Sequence, residues 1–305
     1  MSWRDALHKL IWGTPFRPEY LCTPFEPHTS ALHIVDQNGT DVTHEHVFLG
    51  YQPLLLGFWS KSDSAQSLSL HWQNEQLEEL AKVEMKQVEH IPWEDQTLHL
   101  YQGTRGNQYF LSRSQRWRHN FRQRLKPRKN NVYLDPALYD QVKAAYAIPR
   151  KISVASVWDG EKGNVFPTDL NGPIQPGFYA ISLREAGKAH KQVLTTKRIL
   201  LAEMDIAQAV QVYGLGKNHV KDLRPLDELT EATNRIEGFP VLNGVTKYRV
   251  LERITGKTLS IHHIHIFRVM EEKVIDPDAK VLAHIHRDYA TWRLRNGLPT
   301  EYTDR

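Results

Sequence analysis

The chain has one cysteine, Cys22, in 305 residues, so neither an internal disulfide nor a cysteine-based zinc site can be built. That excludes a disulfide framework and fits a reducing compartment. No run of about 18 apolar residues occurs. The opening MSWRDALHKLIW carries Asp5 and lacks a long apolar stretch with a small-residue cleavage site, so a soluble, cytoplasmic protein with no membrane partner is expected. A charge excess of one sign is also missing. The 39 basic residues face 35 acidic ones, and a formal charge of +4 does not mark the whole chain as a polyanion binder. Gly-x-Gly-x-x-Gly after a strand and the Walker phosphate loop are absent, leaving Gly214-Leu215-Gly216-Lys217 as a fragment that reads as a turn. The serine-hydrolase elbow Gly-x-Ser-x-Gly and the His-Glu-x-x-His pair are absent too.

What is present points to strands. A 40% hydrophobic and 10% aromatic composition supports buried cores, and the length allows two domains of ordinary size. Leu7, Leu10 and Ile11 predict a short amphipathic helix over residues 3–12. Pro15, Pro18, Pro24 and Pro27 then predict an extended connection over the surface. Residues 31–35, 47–49 and 54–59 read as strands, with a turn at 36–39. The acidic, leucine-bearing stretch 74–87 reads as a helix, and 98–101 with 109–111 as a hairpin turning at 103–106. A weak echo links residues 35–59 with 157–183: each runs strand, Asn-Gly or Asp-Gly turn, polar loop, Gln-Pro and apolar strand. Two explanations stay open, a decayed copy of one β-unit or chance recurrence of a common pattern.

From Arg113 to Lys129 eight basic residues occur with no acid, interleaved with Trp117, His119 and Phe121. Such a run can grip nucleic-acid phosphates and stack bases. The preferred reading is an amphipathic helix with Trp117, Phe121 and Leu125 toward the core, so nucleic acid is not the expected partner. Capture of a nucleotide cofactor's phosphate is a third use. Asp135-Pro136 is an N-cap and first helical position, opening a helix through Tyr146. Beyond Lys151 the pattern predicts a helix at 189–196, a strand at 199–203 and a helical turn at 230–236. Closing strands are expected at 247–254, 259–270 and 281–286, separated at 255–257 and 276–278. The expected division is an N-terminal β-rich domain of residues 1–130, a helical linker of 131–149 and a second domain of 150–305.

The candidate chemistry lies in the polar loop between Ile152 and Arg184 and in five histidines, His262, His263, His265, His284 and His286. On a strand, His263 and His265 face one way and His262 the other. Paired strands would bring three or four imidazoles together on zinc, iron or nickel. No carboxylate or cysteine stands at ligand spacing beside them, so no metal is assigned.

An ordered set of segments carries a family resemblance. Gly163-Asn164-Val165-Phe166-Pro167-Thr168-Asp169 is followed by Pro176, by Tyr179-Ala180-Ile181-Ser182-Leu183-Arg184 and by Lys188-Ala189-His190. Gly214 to Asp222, Gly238 to Leu242, Ile261-His262 to Val269, and Val281 to Tyr289 with Arg287-Asp288-Tyr289 come next. Over roughly residues 149–294 the chain resembles the flavin reductase-like family, the FMN-binding split β-barrel. The resemblance implies a mainly β fold with few helices, a split barrel in the C-terminal half and a homodimer with FMN in a groove near the subunit interface. The N-terminal β-rich domain, outside the resemblance, is a candidate degenerate copy. The implied activity is an oxidoreductase passing hydride from NAD(P)H to flavin. The alternatives are a non-catalytic flavin-binding or interaction protein, and a nucleic-acid binder using the 113–129 segment. The resemblance places Asn164, Val165, Phe166, Thr168 and Asp169 at the flavin edge. It places Ser182, Leu183, Arg184, Lys188 and His190 at the phosphate end, and His262 near the reacting rings. The loop departs from the family's Ser/Thr-rich run, and the segment from Arg184 to His190 departs from the family's pattern in the phosphate-binding region.

Overall fold

Side chains that alternate between core and solvent, the two-residue period of a pleated strand, dominate the chain. The structure is a computed structural model and describes residues 19–25, 33–59, 66–125, 136–298 and 301. The expected helix at 3–12 and the end of the basic run lie outside them. The first half holds β1 (Tyr20–Pro24), β2 (His33–Val35), β3 (His46–Tyr51), β4 (Leu54–Phe58), β5 (Ser67–Gln73), β6 (Glu79–Trp93) and β7 (Gln96–Gln108). Two helices follow, α1 (Arg113–Leu125) and α2 (Pro136–Ala145). The second half holds β8 (Arg150–Lys151), β9 (Ser153–Trp158), β10 (Lys162–Thr168), β11 (Asn171–Gln175), β12 (Phe178–Arg184), α3 (Lys188–Thr196) and β13 (Arg198–Met204). After α4 (Ala209–Gly214) come β14 (Arg224–Pro225), β15 (Asn234–Ile236), β16 (Phe239–Val241), β17 (Val245–Leu259), β18 (His262–Val274), β19 (Leu282–His286) and α5 (Arg287–Arg295). The fold is mainly β, as expected.

The two halves are copies of one sheet. The first has strand order β3-β4-β7-β6-β5-β2; the second has β11-β12-β18-β17-β13-β9 and adds β10 and β14. Each is built on a long hairpin, β6–β7 or β17–β18, with strands of 15 and 13 residues in both. Bulges between Glu84/Met85 and Gln87/Glu89 in one hairpin recur between Val250/Leu251 and Arg253/Thr255 in the other. The bulge of β3–β4 between Phe48 and Gly50 recurs in β11–β12 between Pro173 and Gln175. The register shift at the end of β5 recurs at the end of β13. Bulges re-aim every later side chain, so four shared irregularities in one strand order are evidence of duplication rather than of a recurring motif. The sequence echo is not this repeat in register: the strand pairing sets Val35 level with Val154 rather than Val157, and Gln175 level with Gly50 rather than Gln52.

Equivalent faces of the two sheets pack on each other. Their common cluster contains Leu49, Leu98 and Leu100 from the first half and Ile174, Ile264 and Ile266 from the second, all buried. These six residues are three register-equivalent pairs, Leu49 with Ile174, Leu98 with Ile264 and Leu100 with Ile266. Full burial of each such side chain contributes roughly 1.5–3 kcal/mol. β1 joins the second half by pairing with β19, which in turn pairs with β8. The proline-flanked segment is therefore extended as expected but buried at Leu21 and Cys22 rather than lying on the surface.

Several sequence expectations are corrected. Residues 74–87 are not a helix: β6 runs from Glu79 and buries Ala81, Val83 and Met85 between the outward Lys82, Glu84 and Lys86. Residues 103–106 lie inside β7, and its hairpin turns at Glu94–Asp95, with Glu94 at φ +50°. Likewise 255–257 lie inside β17, and the turn falls at Ser260, with φ +56°. Residues 230–236 end in β15 instead of forming a helical turn. Trp117 and Phe121 do not face the core. Their rings are 66% and 45% exposed at the residue level and stack at 5.5 Å.

Helix α2 lies on the outer face of β7, where Gly103 and Gly106 admit its backbone. A Cβ at Gly106 would stand 2.6 Å from Gln141 Cα, a contact that only main-chain movement can relieve. Gly106→Ala is expected to destabilise the protein by about 1–3 kcal/mol, read as a lower urea midpoint with an unchanged slope.

Candidate functional site

β12 and β18 are antiparallel neighbours, with Arg184 opposite His262 and Ser182 opposite Ile264. Alternation sends Ser182, Arg184 and His262 to the face that meets the other half, the seam, and sends Leu183, His263 and His265 to the face covered by α3. At the seam the first half contributes Tyr51, the last residue of β3. Its backbone N–H donates to His262 Nε2 at 3.3 Å, and Arg184 Nε donates to its hydroxyl at 2.7 Å. The Tyr51 and His262 rings meet edge to face at 5.0 Å. Gly50 permits this approach, because a Cβ there would lie 3.1 Å from His262 Cδ2.

Accepting from Tyr51 at Nε2 fixes the proton of neutral His262 on Nδ1. That Nδ1 is buried with no hydrogen-bond partner among the described residues, and so is Ser182 Oγ. Burial first, and then the Arg184 charge, push the His262 pKa down to about 4, so the ring is neutral at pH 7. Each of these buried polar atoms costs about 1–3 kcal/mol if left without a partner, and the two share one sheet face beside an exposed guanidinium.

Asp169, in the turn from β10 to β11, belongs to a neighbouring buried network. Its Oδ2 accepts from Tyr146 Oη at 2.7 Å and from His284 Nε2 at 3.0 Å. Burial opposes the charge, but the bonds from His284 and Tyr146 and the Arg150 cation outweigh it and hold the carboxyl well below the usual carboxylate range. His284 Nδ1 meets Tyr213 Oη at 2.9 Å, and Tyr20 stacks on the imidazole at 5.3 Å. Arg150 lies over the Phe48 ring at 3.1 Å, which ties the network to the first half.

The other residues implied by the resemblance lie elsewhere. Asn164 is buried, its amide donating to Gln192 Oε1 and the Asn218 carbonyl while its Oδ1 accepts from the Val165 N–H. Val165 and Phe166 are core residues of two different clusters, and Thr168 is buried. Leu183 packs with Ala189 and Val193 of α3. Lys188 pairs with both carboxylate oxygens of Asp222 at 2.7 Å, and His190 Nδ1 meets His265 Nε2 at 3.1 Å. The structure thus brings Ser182, Arg184 and His262 together, sets Asp169 beside them, and separates them from Leu183, Lys188 and His190 by the thickness of the sheet. Tyr51, Tyr146 and His284 complete the seam. Tyr51 and Tyr146 carry no motif in the sequence.

At the register-equivalent corner of the other half the polar residues are replaced. Trp59 follows β4 at the position that Ser182 holds in β12, and Gln96 stands for His262. A cavity of about 490 Å³ opens there, lined by Trp59, Pro176, Phe178, Tyr179, Arg249 and Glu272 among others.

No family model matches the chain, and no curated protein sequence does either. Solved structures do. Flavin reductases and FMN-binding proteins are among those similar to this chain. The FMN-binding protein from Thermus thermophilus with bound 1-cyclohex-2-enone is 20% identical, with a TM-score of 0.35, over 41% of this chain and 71% of its own. Flavin reductase PheA2 is 12% identical, with a TM-score of 0.42, over 56% and 99%. The styrene monooxygenase flavin reductase from Pseudomonas putida S12 is 18% identical, with a TM-score of 0.40, over 48% and 92%.

Buried histidines set the acid response. His46, His262 and His263 are each held near pKa 4, chiefly by burial, against 6.5 for a free imidazole. Below pH 6.5 the unfolded chain binds protons that the folded chain refuses, so stability falls as pH drops from about 6.5 toward 4. A melting temperature that stays level between pH 7 and pH 4.5 would contradict this.

Proposed function

We propose that the protein is a flavin-binding oxidoreductase of the flavin reductase-like type, holding FMN at the seam and passing hydride to it from NAD(P)H. The observation that carries the reading is the seam corner, where unpartnered Ser182 Oγ and His262 Nδ1 lie beside the Arg184 guanidinium. These groups fit the anionic end of a flavin nucleotide: a hydroxyl donor and a cation for phosphate, and an imidazole N–H for a further oxygen acceptor. The Asn164 side chain does not fit a flavin edge as it stands, since its amide is already bonded to protein. When bound, FMN supplies the hydride-accepting ring, so the chain needs no general base. Arg184, oriented by Tyr51, would hold the phosphate. His262, neutral at pH 7, would donate a hydrogen bond without adding charge. The apolar seam around Ile264 and Leu98 would exclude water.

The duplication bears on assembly as well. In this reading the first half stands where the resemblance puts a second subunit, so the expected dimer is contained in one chain, with one polar corner per chain. Light scattering on the eluting protein is expected to give the mass of a monomer.

Flavin retained through dialysis, with its visible absorption, and NAD(P)H oxidation in its presence are the expected results; a colourless protein that neither takes up FMN nor oxidises NAD(P)H sinks the proposal. Flavin uptake without nicotinamide oxidation would leave a binding protein. Arg184→Ala should weaken FMN about tenfold or more, from loss of a charge-assisted bond worth about 1.5–3 kcal/mol. Ser182→Ala should also weaken FMN, while leaving the ligand-free protein equally or more stable, because it removes a buried hydroxyl that has no partner. Fluorescence quenching of FMN and urea unfolding separate the two effects.

A further inference from the structure

The far face of the same strand pair carries a second constellation. His263 and His265 of β18 meet His190 of α3, and one nitrogen from each lies within 4.8 Å of the others. His190 Nδ1 and His265 Nε2 are 3.1 Å apart. Two ligands of a tetrahedral ion with metal–nitrogen bonds of about 2.0–2.1 Å are separated by roughly 3.3 Å, so this pair already has nearly the spacing of a shared ion.

Hydrogen bonds settle the protonation of the third ring. Thr258 Oγ1 donates to Glu185 Oε1 at 3.2 Å, and its oxygen is 2.7 Å from His263 Nδ1. A hydroxyl that spends its proton on the carboxylate accepts from the imidazole, so His263 carries its proton on Nδ1 and a bare lone pair on Nε2. That Nε2 is buried with no hydrogen-bond partner among the described residues. Gly256 on β17 leaves its surroundings open, since a Cβ there would lie 2.7 Å from it. A carboxylate–hydroxyl–imidazole chain behind one ring is the kind of outer support that orients a metal ligand.

We propose that His190, His263 and His265 bind a divalent transition-metal ion of the zinc type. Arg253 Nε donates to His265 Nδ1 at 3.0 Å, which puts the remaining proton of this ring on Nε2, shared with His190. A neutral imidazole keeps its one ring proton when it ligates, so an ion entering at Nε2 requires that proton to move to Nδ1 and the Arg253 bond to be given up, with no net proton released. The preference for zinc, nickel or copper over magnesium or calcium follows from an all-imidazole donor set. This site does not depend on the flavin reading, because it lies on the opposite face of β12 and β18.

The test is titration of the full-length, chelator-treated protein with Co²⁺ and Zn²⁺, followed by visible absorption and by calorimetry in buffers of different ionisation enthalpy. Expected are one ion per chain at micromolar or tighter affinity, cobalt bands of a nitrogen-ligated centre, and no net proton release at neutral pH. His263→Ala and His190→Gln should each weaken binding about 100-fold or more, with the far-ultraviolet dichroism of the metal-free protein unchanged. His90→Ala, at an exposed histidine away from the cluster, should bind as the parent does. Absence of binding, affinity no better than millimolar, or undiminished binding in His263→Ala overturns the proposal.

Discussion

Everything else in the molecule hangs on the packing of two register-equivalent sheet faces against each other. An interface between copies must be complementary to itself, and here Leu49, Leu98 and Leu100 supply on one side what Ile174, Ile264 and Ile266 supply on the other. Such a face tolerates no slip. A shift of one residue in either long hairpin would turn this apolar row outward and bring the alternate row in. The shared bulges at Glu84/Met85 and Val250/Leu251, and at Gln87/Glu89 and Arg253/Thr255, are therefore constraints both halves have kept, even though their side chains have diverged.

Divergence is concentrated at the edges of that common frame. On the outer face, Gly103 and Gly106 let α2 lie against β7, whereas the equivalent positions of β18 are Val269 and Glu272, both lining the 490 Å³ cavity. At the seam, Trp59 and Gln96 occupy the places of Ser182 and His262. One corner has become polar and orphaned, the other aromatic and open. Among the described residues, unpartnered buried donors are present at both corners, Trp93 Nε1 across from Gln96 as well as His262 Nδ1, but only the corner at His262 sets them beside a cation.

How much of this was legible in the sequence depends on the range of the interaction. Alternation is local, and it placed His263 and His265 on one face of a strand and His262 on the other. The helix at Lys188–Thr196 was likewise readable from local spacing. Residues 74–87 misled because leucine and acidic side chains suit a helix, while the alternation of Ala81, Val83 and Met85, with two small or flexible members, gave only a faint strand signal. Hairpin turns were misplaced at 103–106 and 255–257 because glycine in a strand marks close approach as readily as a turn; Gly106 makes room for Gln141 and Gly256 faces His263. The role of Asn164 was beyond reach for a different reason. Its partners Gln192 and Asn218 are distant in sequence, and only the fold shows that its amide is already satisfied. Tyr51 is the extreme case, since it completes a corner of the opposite half.

The histidines show how one strand can serve two environments. His262 and His263 are adjacent, yet the pleat sends the first to the seam, where Tyr51 claims its Nε2, and the second to α3, where Thr258 claims its Nδ1. Each partner fixes a different tautomer: a buried N–H without an acceptor at the seam, a buried lone pair without a donor beneath α3. The first suits a ligand that accepts hydrogen bonds, and the second suits one that accepts electron pairs. A single ligand cannot answer both needs, because the sheet lies between them. The resemblance gathered Ser182, Arg184, His190 and His262 into one site; the pleat divides them into an anion-accepting corner and an imidazole cage, each with its own chemistry.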